Sequence, residues 1–213
     1  MKTKFIFLST VWFLSGFPHY EGTVPESWNM TREKNGIQIY TRWIRTSPHE
    51  KTRQVKGILT LRTAKEQVAR LIINENQARE WMVFLDELNY YKGNGNPGEW
   101  YAYGRINVLG KMVSFDVVTN NHVHTDTATN QTVITMNGMP GYLPLKTGVH
   151  RITGLYTTWN LTDVSSKMTR IEFTIQSDMK PVVPTWITDP VVARLLISTL
   201  EELRDQASKI QIQ

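Results

Sequence analysis

The chain has 213 residues and 24.6 kDa, with 40% hydrophobic residues, 20% charged residues and no cysteine. That size supports one domain or two small ones around a sizeable core, and the composition excludes a disordered or low-complexity chain. The missing cysteines exclude disulfides, thiolate metal sites and cysteine nucleophiles, and the net charge of +5 raises the question of nucleic acid.

The N-terminus answers part of that question. Lys2 and Lys4 precede an apolar run over residues 5–17 that is too short to cross a bilayer. Residues 1–20 therefore read as a signal peptide, and the mature protein as exported, periplasmic or secreted. Setting the two lysines aside lowers the charge to +3, and the other basic residues form no block. No nucleic-acid partner is expected. No repeat or linker divides residues 21–213, which read as a single domain.

Residues 28–33 are expected as a short helix ending at Lys34-Asn35-Gly36. Residues 37–43 and 53–61 alternate apolar and polar side chains, the period of half-buried strands. Residues 63–74 change to helical spacing through Val68, Leu71 and Ile72, with Thr63 as N-cap and Glu66 at its third position. A second helix is expected from residue 75, with Trp81, Phe84, Leu85 and Leu88 on one face.

Five strands follow, over residues 99–108, 111–124, 132–136, 149–156 and 168–176. Their short connections imply antiparallel pairing. Asp189 as N-cap and Pro190 at the first helical position then predict a final helix over residues 191–208, with Val192, Leu195, Leu196, Thr199 and Leu203 on one face. The fold class is α+β: a curved antiparallel sheet with helices on one side.

Few motifs carry chemistry. Gly93-Asn94-Gly95-Asn96-Pro97-Gly98 has the letters of a dinucleotide fingerprint, but a strand follows where the fingerprint needs a helix, so it reads as a loop. His122 and His124 share one strand face, opposite the apolar Phe115, Val117 and Val123, and read as a solvated pair. No metal, cofactor or catalytic residue is assigned. The segment Met139, Pro140, Tyr142, Leu143, Pro144, Leu145 is strongly apolar. It is either a packed loop or a lid over an apolar cavity between the sheet and the final helix.

In their order and spacing, several of these stretches resemble the START domains, the lipid-binding modules related to steroidogenic acute regulatory protein. They are Gly36-Ile37-Gln38-Ile39-Tyr40-Thr41-Arg42, Arg79-Glu80-Trp81, Met139-Pro140 with Lys146-x-Gly148-Val149-x-Arg151, Trp159-Asn160-Leu161, and residues 178–187. The chain departs from that pattern at Trp81-Met82, at Phe115-Asp116 and at Pro181. Where sterol-binding members hold a buried acid–base pair, it has Ala102 and Asn121.

The resemblance implies a helix-grip fold, with the sheet wrapped around the C-terminal helix, and a lipid or other hydrophobic small molecule in an internal cavity. The protein would be a carrier or sensor. The alternative is a polyketide cyclase- or aromatase-like enzyme on the same scaffold, for which Tyr103, Arg151 or an inward histidine would supply the acid and base. The expected lining is Trp81, Phe84, Tyr103, Phe115, Val117 and Thr119, with Asn121, Thr135, Arg151, Ile171, Phe173 and Trp186. From the final helix come Val192, Leu195, Leu196 and Thr199. That helix and the 139–147 loop would form the gate, and the loop would make transient membrane contact.

Overall fold

A computed structural model describes residues 26–47, 50–82, 84–108, 113–177 and 185–210. The expected signal peptide lies outside the described residues. The chain opens with Asn29–Lys34 (β1), Ile37–Ser47 (β2) and Glu50–Leu61 (β3), then Lys65–Ile73 (α1) and Glu75–Trp81 (α2). Seven strands follow: Glu87–Lys92 (β4), Glu99–Val108 (β5), Val113–Asp126 (β6), Gln131–Gly138 (β7), Val149–Arg151 (β8), Leu155–Ser165 (β9) and Met168–Ser177 (β10). The last element is the helix Thr185–Ile210 (α3).

Among the described residues, nine strands run in the order β1-β2-β3-β10-β9-β7-β6-β5-β4, and β8 pairs with β6. Every pairing is antiparallel except that of β6 with β8. The α+β class, with a curved antiparallel sheet gripping a long C-terminal helix, is as expected.

The expected helix over residues 28–33 is instead strand β1. Asn35 and Gly36 take φ values of +52° and +74°, and Lys34 pairs with Ile37 across them. Two successive positive φ angles make the type I′ turn that matches strand twist, so Asn-Gly here closes a hairpin. So short a segment cannot hold a helix without tertiary support, and pairing with β2 satisfies its backbone.

Thr63 does not cap α1. Ala64 occupies the cap without a side-chain bond. Thr63 is buried, with its hydroxyl donating to the Ala207 carbonyl (3.4 Å) and its carbonyl accepting from the Thr169 hydroxyl (2.6 Å). The second helix stops at Trp81, so Phe84 and Leu85 lie in a turn and Leu88 in β4. The open edge of β5 recruits this segment: Asp86 N–H donates to the Arg105 carbonyl (2.8 Å) and Leu88 pairs with Gly104. The strand expected over 149–156 is split, because Ile152 N–H bonds to the Asp116 carbonyl (2.8 Å) before β9 begins. Helix α3 starts at Thr185, which puts Asp189 and Pro190 inside it instead of at its cap.

The core lies between the sheet and the three helices. Val68 and Ile72 of α1, Trp81 of α2, and Leu200 and Leu203 of α3 are fully buried against Ile37, Ile39, Ile134, Leu161 and Ile171 of the sheet. Close approach of α3 depends on one glycine. A β-carbon on Gly57 would lie 2.7 Å from Leu200 Cδ1 and 3.4 Å from Leu196 Cδ2. Helix α1 is tied to the strand connections by Lys65, only 2% exposed, whose ammonium donates to Asn130 O (2.6 Å) and Oδ1 (2.9 Å) and pairs with Asp163 (3.0 Å).

Candidate functional site: the inner face of the sheet

Directly opposed residues of an antiparallel ladder share a face, so register sorts the expected lining. One line of pairs runs from Gly57 through Phe173, Trp159 and Ile134 to Val123, starting under α3. This is the inner face. By the two-residue period it includes Ile171 and Phe173 of β10 and Phe115, Val117, Thr119 and Asn121 of β6. Trp81 joins them from α2, its ring edge-on to Trp159 at 5.6 Å and its indole N–H donating to the Leu71 carbonyl (2.9 Å). Phe84 is half-buried in the turn after α2.

Helix α3 seals this face unevenly. Leu196 and Thr199 are buried, and Leu200 and Leu203 fully so, whereas Val192 and Leu195 remain 40% and 42% exposed. Trp186 belongs to the first turn of α3, and its side chain lies outside the described residues.

Three expected lining residues are on the opposite face. Tyr103 pairs with Val118, one residue out of step with Val117 and Thr119. Thr135 pairs with His122 and Thr158, out of step with Ile134 and Met136. Arg151 pairs with Asp116, again on the outer side. The two histidines lie on that side, their rings stacked 5.6 Å apart.

The 139–147 segment goes with the outer face, so it does not lie over the inner one as a gate. Arg151 holds it there. Its Nε and Nη2 donate to the two Asp116 oxygens at 2.6 and 3.0 Å, Nη1 to the carbonyls of Pro140 (2.7 Å) and Leu143 (3.1 Å), and Nη2 to that of Pro144 (3.2 Å). The hydrogen-bonded Asp116 carboxylate raises the arginine's pKa still further. Tyr142 stacks on Tyr101 at 4.0 Å, and Lys146 sits 4.2 Å above the Tyr103 ring and 3.2 Å from Glu87. A cleft of about 280 Å³ remains between Tyr91, Tyr103 and residues 143–146.

The β6 and β7 part of the inner face is poor in charge. Val117, Thr119 and Asn121 of β6, with Ile134 and Met136 of β7, carry no ionisable group. Tyr90, paired with Ala102 on β5, is kept in its phenol form chiefly by burial, with the Glu75 carboxylate adding to the effect. Its hydroxyl donates to the Ile72 carbonyl (2.9 Å).

Polarity enters through amides and indoles. Both side-chain polar atoms of Asn121, and the indole nitrogen of Trp159, are buried without a hydrogen-bond partner among the described residues. Each such group costs about 1–3 kcal/mol. Trp100 is opposite Asn121 on β5. Neither Trp100 nor Trp159 was expected in the lining. Their alternation was visible in the sequence, but placing them needs the strand register.

The chain matches no protein-family model. A protein of Pseudomonas aeruginosa, described only as uncharacterized, is 22% identical over 185 residues, which span 86% of this chain and 88% of that protein. Among solved structures, a STAR-related lipid transfer protein from Xanthomonas axonopodis is similar with a TM-score of 0.74 at 21% identity, over 86% of this chain and 99% of that one. Human StAR-related lipid transfer protein 5 gives 0.71 at 14% identity, over 86% and 88% of the two chains. The Zhui aromatase/cyclase of a Streptomyces species gives 0.52 at 10% identity, over 74% and 94%. At these identities the likeness is one of fold: the chain has the helix-grip fold of the StAR-related lipid-transfer, or START, domains.

Proposed function

We propose that the protein is a carrier or sensor that holds one hydrophobic small molecule, a lipid, between the inner face of the sheet and α3. The observation that carries this reading is the uneven seal of the helix. Its C-terminal half is fully buried at Leu200 and Leu203, while Val192 and Leu195 keep 40% and 42% of their surface exposed. Apolar side chains left open at the rim of a core offer a way in for apolar ligand surface, whose burial contributes roughly 25 cal/mol per Å² before entropic costs. The names of the lipid-transfer proteins that share the fold support the same class of ligand.

A cyclase-type enzyme on this scaffold would need a positioned acid and base at the ligand. Tyr103 and Arg151 would have supplied them, and both belong to the outer face. The carrier reading is therefore preferred. The basic and apolar leader of residues 1–20 supports an exported carrier. The 139–147 loop, with Leu145 73%, Tyr142 40% and Met139 39% exposed, supports membrane contact from the outer face.

Native mass spectrometry of the purified protein, followed by lipid extraction, tests the reading. One bound lipid per chain is expected. Recovery of protein alone from every preparation, with no uptake of added fatty alcohol or phospholipid, would exclude it.

A further inference from the structure

We propose that the inner site selects a ligand with one uncharged head group that both donates and accepts a hydrogen bond (a hydroxyl, a carboxamide or a protonated carboxyl), and that Asn121 is the residue that seats it. The inference rests on the carrier reading and narrows its ligand class.

Three observations converge on Asn121. First, its side chain is 1% exposed, yet neither Nδ2 nor Oδ1 has a partner among the described residues. A buried amide is normally satisfied, and an unsatisfied one asks for a complementary group. Second, the residue faces inward. It is opposed by Trp100 on β5 and Met136 on β7, both packed against the core. Third, the surrounding inward residues are Thr119, Ala102, Met136 and Val123, none of them ionisable.

Chemistry follows from that set. A primary amide presents two N–H donors and one carbonyl acceptor, so a head group that does both can meet it from both sides. An anionic head would satisfy the N–H groups and set its charge against Oδ1. A quaternary ammonium would leave the N–H groups unmet. Either charge would be buried with no counter-ion among these inward residues, a strongly unfavourable arrangement. A plain hydrocarbon would bind without relieving the amide at all.

The test is a competition series on one alkyl chain: hexadecanol, hexadecanamide, hexadecanesulfonate and hexadecyltrimethylammonium, each displacing the neutral probe N-phenylnaphthylamine. The alcohol and the amide should displace the probe at roughly tenfold lower concentration than either charged compound. In Asn121→Leu, their advantage should fall about tenfold. The melting temperature should be unchanged or higher, since the orphaned polar atoms are gone, and displacement in each protein is scaled to that protein's own measured probe affinity.

Equal displacement by charged and neutral heads, or an Asn121→Leu protein that keeps the full preference, would overturn the assignment while leaving a carrier. Failure of the wild-type protein to bind the probe or any of the four compounds would overturn both readings together.

Discussion

Arg151 shows how much one side chain can organise. Its guanidinium and the Asp116 carboxylate are 4% and 1% exposed, and the remaining N–H groups bind three loop carbonyls. Removing one partner leaves a buried charge uncompensated, whereas replacing both with apolar groups does not. Arg151→Ala should therefore lower unfolding free energy in urea by about 3–5 kcal/mol, and the double variant Arg151→Met, Asp116→Leu should recover most of that loss. Glu75 makes a smaller link, between α2 and β4. It accepts from Arg79 and from the Tyr90 N–H (3.0 Å), and the Arg79 hydrogen bond, more than any other contact, holds its pKa below the ordinary 4.5. A depressed carboxylate stabilises the fold fully above its ordinary value and stops doing so as pH falls through the lowered one. The difference in melting temperature between wild type and Glu75→Gln should be constant above pH about 5 and shrink toward zero in more acidic buffer.

At the scale of elements, the decisive quantity is strand parity. The sequence's alternation places Phe115, Val117, Ile171 and Phe173 together on the inner face as expected. The same alternation cannot say which of two adjacent residues on a neighbouring strand meets them. The alternation alone puts Tyr103 and Thr135 each one residue out of step, because a slip of one residue exchanges the faces completely. Boundaries failed for a related reason. Asn35-Gly36 ends a helix or closes a hairpin equally well in one dimension, and only the partner strand decides. Lys65 was invisible as a core residue, since nothing local tells that Asn130 and Asp163, far along the chain, converge on its ammonium. Gly57 was legible as part of a strand but not as the seat of α3. Gly57→Val should destabilise the fold by about 1–3 kcal/mol through overpacking against Leu200 and Leu196, measurable as a lower urea midpoint with an unchanged slope.

On the scale of the whole molecule, the α+β class, the long last helix and the lipid-transfer fold were all legible, because they rest on periodicities and on motif order along the whole chain. The role of the apolar 139–147 loop was not. Hydrophobicity marks it as a cover, and only the Arg151 contacts assign it to the outer side of the sheet. Two functions are thereby separated in space: the loop stiffens one face, and α3 meets the other.

A sheet that does not close into a barrel has ends, and among the described residues they are β1 and β4. All six residues of β1 are exposed. An open strand with free N–H and C=O groups is a template for another chain. β1 carries Arg32, Glu33 and Lys34, and its register with β2 shifts between Met30 and Arg32. Charge and an irregular ladder are what blunt such an edge. A short strand that adds nothing to the core thus carries the features that keep an open edge from pairing with a second chain.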